Sequence, residues 1–328
     1  MTEENTPAPK QKVVGWIGAI LVRLVVPAWI IFGAMQKVLG GSPKLLPRSV
    51  LDGGGILGFK DFHLLLAFIV CIEFFFVGIM LFVPKLARVA AVMMLGVFLV
   101  VLCVEMFGYG NYESCGCFGE KSLSPIIMFV IDFALLIGIF ACKPRTSKCH
   151  MNIGKRAPVA AAIFILLAWV FTFSSIMYAK EKGNSDNTDP TLPTLPTSWY
   201  PQNIADWVGK SVDDLELFGW VKEWPIDIHD GKQYFIFYSL TCDHCEALLW
   251  EYFEFPTTPT TLVAIPLSTE GFDYESAFEN PCSDCNKTEL RIGTDWIIGT
   301  PLVVATENGI VKCAVENEEY EAPTCLIW

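Results

Sequence analysis

The C-terminal half of this sequence has very little positive charge. Residues 180–328 hold 8 Lys and Arg against 26 Asp and Glu, whereas residues 1–179 hold 15 against 9. That balance argues against nucleic acid or an anionic lipid surface as the partner of the second half and favours cationic partners or none. The first apolar run, Val13 to about Leu39, lacks a small-residue cleavage site after it and exceeds the roughly 7–15 residues of a signal-peptide core, so it is expected to persist as a membrane helix. A pair of interrupted spans, the mark of a midplane transport site, is also missing, which weighs against a transporter.

What the chain has in quantity is apolar length. Hydrophobic residues make up 53% of its 328 positions, too many for a soluble protein of this size. Runs near the roughly 20 residues that a bilayer requires cover 13–39, 63–83, 86–107, 125–142 and 158–179, which predicts five spans. Lys85 and Arg88 fall between the second and third, and Lys143, Arg145, Lys148, Lys155 and Arg156 between the fourth and fifth. Basic loops stay on the cytoplasmic side, so the N-terminus is expected inside, while the loops at 40–62 and 108–124 and everything after the fifth span face outward. Lys44, Arg48 and Lys60 in the first outer loop run against that rule. The expected divisions are a cytoplasmic N-terminus (1–12), a four-helix membrane domain (13–142), a basic cytoplasmic loop (143–157), a fifth span (158–179), a Pro, Thr and Asn-rich linker (180–200) and a soluble domain (201–328).

Within the soluble part, Phe235-Ile-Phe-Tyr-Ser-Leu-Thr-Cys242-Asp-His-Cys245 reads as an apolar strand entering a two-cysteine turn that opens a helix. A cysteine at a helix start meets unpaired N–H groups and the positive end of the macrodipole, both of which favour thiolate. Cys242 is therefore the expected nucleophile, and Cys245, one turn on, closes or resolves a disulfide with it. Downstream, Thr300-Pro301 precedes a second apolar strand, a place where proline withholds no ladder donor and often marks a cis bond. Together these features resemble the thioredoxin fold, in which a cis-proline loop faces the active cysteines; the resemblance assigns that place to Thr300 and Pro301. His244 makes the motif Cys-x-His-Cys, similar to oxidising members of that superfamily such as DsbA and protein disulfide isomerase. A group there that stabilises the Cys242 thiolate makes the disulfide a stronger oxidant. The chain continues only nineteen residues past Gly309, so the closing helix usual in that fold is expected to be missing or replaced.

A second dithiol lies in the outer loop before the fourth span, in Cys115-Gly116-Cys117-Phe118-Gly119. One intervening residue makes the joined ring small, and glycine lets the backbone bend that far. With Arg23 and Gly33-x-x-x-Lys37 in the first span and Glu73-x-x-x-x-Gly78 in the second, this loop resembles the MauE group of DoxX-related membrane proteins over about residues 13–142. The resemblance implies a four-helix membrane module linked to periplasmic redox processes.

Charges inside a bilayer cost of order 2.5–3.5 kcal/mol each on insertion scales and need a reason. Arg23 and Glu73 are expected to pair, either fixing helix packing or forming, with Asp132 or Glu105, a proton or quinone site. Cys71 and Cys103, within spans, are expected to pack as small hydrophobes. Cys282 and Cys285 read as a structural disulfide, as a relay pair exchanging with Cys242 and Cys245, or as part of a zinc site with them, the last disfavoured by the spacing. Cys313 and Cys325 read as a bridge that ties down the C-terminus. Cys142 and Cys149 face the reducing side, and His150 beside Cys149 is a weak metal signal.

The sequence thus predicts a bacterial inner-membrane α-helical bundle carrying an α/β thioredoxin-like domain in the periplasm. The expected function is thiol–disulfide exchange among periplasmic client cysteines, Cys242/Cys245 and Cys115/Cys117, with no metal and no covalent cofactor and with a quinone or another membrane acceptor receiving the electrons. Two alternatives stay open: a periplasmic reductant built from the same parts, and a non-catalytic scaffold that assembles a redox enzyme.

Overall fold

A computed structural model of the chain describes residues 16–110, 124–142, 157–183, 193–316 and 325–326. The chain divides into two compact units, Met1–Ala179 and Lys180–Trp328.

The first unit is helical. Helix α1 (Trp16–Gly40) contains a π turn at Leu21–Val25. It stops at Gly41, which takes φ +63° and returns its N–H to the Lys37 carbonyl. A side chain there would also press on Ala179, whose Cβ lies 2.7 Å from the position of an added Cβ; glycine meets both demands. A short helix α2 (Arg48–Ile56) follows, then α3 (Phe62–Phe82), whose first turn is capped by the Asp61 carboxylate accepting from the N–H groups of His63 and Leu64. Helix α4 (Ala87–Gly108) ends in a second π turn at Val104–Gly108, and α5 (Pro125–Ala141) and α6 (Ala157–Gly183) complete the unit. Among the described residues four helices, α1, α3, α4 and α6, are long and apolar enough to cross a membrane. The remaining expected span, α5, has 17 residues, about 25 Å at 1.5 Å per residue, at the short end for a bilayer.

Association of such helices depends on close packing, because lipid offers apolar contact equally well. Gly78 supplies the closeness on α3: a Cβ there would stand 2.8 Å from Ile165 and 3.4 Å from Phe164 of α6. The Trp169 indole of α6 donates to the Cys71 carbonyl of α3 at 2.9 Å. A stripe of buried α1 residues at four-residue spacing, Val22, Val26, Ile30 and Ala34, faces the core, together with Val77 and Met80 of α3 and Met94 and Leu95 of α4.

The second unit is a mixed α/β domain. Its strands are β1 (Ser198–Trp199), β2 (Lys232–Tyr238), β3 (Thr260–Ala264), β4 (Asn286–Glu289), β5 (Asp295–Trp296), β6 (Leu302–Glu307) and β7 (Ile310–Glu316), with helix α7 (Asp243–Tyr252) between β2 and β3. Five of them form one sheet in the order β4-β3-β2-β6-β7; β4 and β2 run parallel to β3, while β6 is antiparallel to β2 and β7 to β6. The central strand alternates: Tyr234, Ile236 and Tyr238 face the α7 side, and Phe235 and Phe237 face a second core that holds Trp207, Trp220 and Trp296. Phe235 and Phe237 are wholly buried, each contributing roughly 1.5–3 kcal/mol by transfer from water. The β6–β7 turn is Asn308-Gly309 with φ of 51° and 73°, the two positive values a tight hairpin turn needs.

One difference from the sequence reading has a physical cause. The linker expected over 180–200 is narrower, because α6 runs to Gly183 and the chain is held again from Pro193. There Arg291 donates to the Pro193 carbonyl at 2.7 Å, Thr294 to the Pro196 carbonyl at 2.7 Å, and Leu195 is buried in the tryptophan-rich core.

Candidate functional site

Strand β2 delivers the chain to a tight turn in which the Cys242 N–H bonds the Ser239 carbonyl. Cys242 is the N-cap of α7, with extended backbone (φ −97°, ψ 113°), and its Sγ accepts the Cys245 N–H at 3.1 Å. The sulfur therefore occupies the place a capping oxygen takes elsewhere, against the free donors of a helix start. Cys242 and Cys245 are joined as a disulfide with Cα atoms 5.2 Å apart. Their surroundings differ: Cys245 is wholly buried beside Leu248 and Leu249, whereas Cys242 is half-buried. An attacking thiolate reaches Cys242 first.

The second wall comes from the loop before β6. The Thr300–Pro301 peptide bond is cis. The Thr300 hydroxyl donates toward Cys242 Sγ at 3.5 Å, and the Thr300 carbonyl oxygen lies 3.7 Å from the same sulfur. Against the helix-start donors stand Asp243 and Glu246 in the first turn of α7, whose carboxylates oppose a second negative charge on sulfur. His244 is half-buried at the second position of that helix.

Strand register sets the Cys313–Cys325 disulfide apart from this site. Cys313 pairs with Ala305, which pairs with Tyr234; Asn286, next after Cys285, pairs with Thr261 near the start of β3. The Cys313–Cys325 bond therefore lies beside Tyr234, whose hydroxyl donates to the Cys325 carbonyl at 2.9 Å. That is the far end of β2, four residues or about 13 Å from Tyr238 at 3.3 Å per residue, with Cys242 beyond it. Cys282 and Cys285 are also joined as a disulfide, buried in the same α7-side core as Cys245.

In the helical unit one expectation is corrected. Glu73 pairs with Lys37 and not with Arg23: the Lys37 ammonium donates to Glu73 Oε1, and the two residues are 7% and 1% exposed. Position along α1 decides this: Arg23 stands 14 residues, about 21 Å, from Lys37 at 1.5 Å per residue, level with the Val22 and Val26 side chains that pack with Val77 and Met80, beyond reach of Glu73. Lys37 also sits 6.0 Å from the Phe98 ring centre, and the second carboxylate oxygen of Glu73 is buried without a hydrogen-bond partner among the described residues. Asp132 accepts from the Trp29 indole at 2.9 Å, and Glu105 accepts the Ser49 N–H at 2.7 Å, holding the start of α2.

Cys71, Cys103 and Cys142 are free thiols. Cys115, Cys117, Cys149 and His150 lie outside the described residues. Among the described residues no three His, Cys, Asp or Glu side chains gather as a metal site would require.

Comparison with known proteins finds one family. The model of the family described as Methylamine utilisation protein MauE matches residues 13–143, the helices up to the end of α5 and less than half of the chain. No curated protein and no solved structure matches the chain.

Proposed function

We propose that this chain is a membrane-bound thiol–disulfide oxidoreductase in which residues 201–328 form a thioredoxin-like domain on the periplasmic side. The observation that carries the reading is the asymmetric dithiol: Cys242 half-exposed at a helix N-cap, Cys245 buried one turn behind it. A dithiol at the end of the central strand of a mixed sheet, faced by Thr300 from the loop before β6, supports the thioredoxin-like assignment.

Exchange proceeds in two displacements. A client thiolate attacks Cys242 Sγ, the bond to Cys245 breaks, and Cys245 leaves as a thiolate that takes up a proton. The client's second thiolate then attacks its own half of the mixed disulfide and releases Cys242 as a thiolate. Two electrons have passed from client to protein, and the helix-start N–H groups and the Thr300 hydroxyl stabilise the sulfur anion that leaves.

In this reading Cys115 and Cys117 take the two electrons from Cys242/Cys245, and a quinone or another membrane acceptor receives them, accepting two electrons and two protons when bound. Lys37 and Glu73 fit such a group, since an ammonium and an unsatisfied carboxylate oxygen offer a donor to a carbonyl and a route for a proton; Arg23 and Asp132 are the further members of this candidate site. Run in reverse, the same parts deliver electrons to periplasmic disulfides.

Trapping tests the reading. With Cys245→Ser combined with Cys115→Ser or Cys117→Ser, a disulfide between Cys242 and the remaining loop cysteine is expected on a non-reducing gel, together with client adducts on Cys242. The absence of both would overturn the relay and leave the scaffold reading in front.

A further inference from the structure

From Gln233 to Asn286 the chain contains no Lys or Arg and nine carboxylates: Asp243, Glu246, Glu251, Glu254, Glu270, Asp273, Glu275, Glu279 and Asp284. That stretch comprises β2, the dithiol turn, α7, β3 and the segment leading to β4, and none of the nine carboxylates is buried. His244 is its only side chain able to carry positive charge.

The segment between β3 and β4 passes beside the dithiol. The Phe278 N–H donates to the Leu240 carbonyl at 3.0 Å, two residues before Cys242, and the Phe278 ring lies 6.0 Å from that of Tyr238. Ser268 and Gly271 close a tight turn with Glu270 inside it. Phe272 packs on the α7-side core, and Tyr274, with its ring 5.6 Å from that of Phe272, is 68% exposed. Asp273 accepts from the N–H groups of Glu275 and Ser276 at 3.1 and 3.2 Å, and bonding from Ser276, side chain first, holds its carboxyl below the usual range, so it is charged at neutral pH. A lip apolar at its base and negative at its rim thus borders the exposed sulfur.

We propose that this lip selects the client: the substrate of Cys242 is a cysteine within a segment rich in Lys or Arg that also carries an apolar side chain beside the reactive thiol. The proposal rests on the thiol–disulfide activity proposed above. Opposite charge raises the local concentration of such a segment and speeds encounter. An Arg guanidinium can also lie over the Tyr274 ring while it pairs with a neighbouring carboxylate. Acidic segments meet repulsion on the same path.

The test uses the oxidised full chain in an uncharged detergent and three reduced peptides, Cys-Arg-Phe-Arg-Cys, Cys-Gln-Phe-Gln-Cys and Cys-Glu-Phe-Glu-Cys, with uncharged dithiothreitol as the reference thiol. Each peptide's rate is divided by its rate with hydroxyethyl disulfide, which removes differences in intrinsic thiol reactivity. At low salt the basic peptide is expected to react about 10-fold or more faster than the acidic one, and the gap should close toward unity near 1 M salt. Glu270→Gln with Asp273→Asn and Glu275→Gln should narrow the gap while the dithiothreitol rate, a check on folding, stays as in the wild type. Equal normalised rates for the three peptides, or a gap unchanged in the triple variant, would overturn the proposal. Failure of dithiothreitol itself to reduce Cys242–Cys245 would overturn the oxidoreductase reading and this proposal with it.

Discussion

The Thr300 hydroxyl donates toward Cys242 Sγ at 3.5 Å across 58 positions of sequence. Register produces this contact: Phe237 pairs with Leu302 in the antiparallel β2–β6 ladder, so the residues just before β6 arrive where β2 gives way to the dithiol turn. A hydroxyl that bonds a thiolate favours it over the thiol. Thr300→Val is therefore expected to slow iodoacetamide alkylation of Cys242 in the reduced protein at neutral pH by up to about 10-fold.

The two cysteines of the motif should differ in reactivity. In the reduced protein Cys242 is expected to alkylate about 10-fold or more faster than Cys245, since a wholly buried thiol is both shielded and harder to ionise; mass spectrometry of the labelled peptides measures the ratio. Equal labelling would remove the division into attacked and resolving sulfur.

Lys37 and Glu73 give a prediction that separates packing from chemistry. Removing one partner of a buried ion pair costs about 3–5 kcal/mol, because the other charge is stranded, whereas replacing both is close to neutral. Lys37→Met or Glu73→Met alone should sharply lower thermal stability in detergent, and the double variant should recover most of it, while Arg23→Gln changes little. If the pair also handles protons for an acceptor, the recovered double variant will still fail to pass electrons from reduced Cys242/Cys245 to a soluble quinone.

Cys313→Ser should destabilise without disarming the site. Opening the bond that closes a 12-residue separation costs about 2–3 kcal/mol, and a cooperative unit of this size then melts several degrees lower. Exchange of Cys242 with dithiothreitol at low temperature is expected to persist, since this bond lies at the opposite end of β2.

Tyr238 should make the soluble unit sensitive to alkali. Burial holds its hydroxyl above the usual tyrosine range, so the neutral form is favoured in the folded state. The stability that follows is complete below about pH 10 and is lost as pH rises through the raised value. Tyr238→Phe should flatten the decline of melting temperature between pH 9 and 11.5, measured by circular dichroism on the full chain.

Much of this was legible in the chain. Apolar run lengths announced the long helices, with bounds within a few residues, because a bilayer demands a minimum length that composition alone can show. The central strand and the Cys-x-x-Cys helix start were equally plain, each being a local pattern with a local cause. The outer-loop dithiol Cys115/Cys117 was legible as a motif, and its geometry lies outside the described residues.

What the sequence alone determined is therefore the division into a membrane-length helical unit and an acidic α/β unit, and the identity of the dithiol with its helix start. Tertiary structure decided the partners. The sequence pointed to Arg23 as the partner of Glu73, and the offset at which α1 packs on α3 brought Lys37 there instead. Strand register carried Cys313, with its bond to Cys325, to the Tyr234 end of the sheet and away from Cys242. The offset between packed helices and the register between strands depend on every packed neighbour at once, and no local stretch of sequence holds that information.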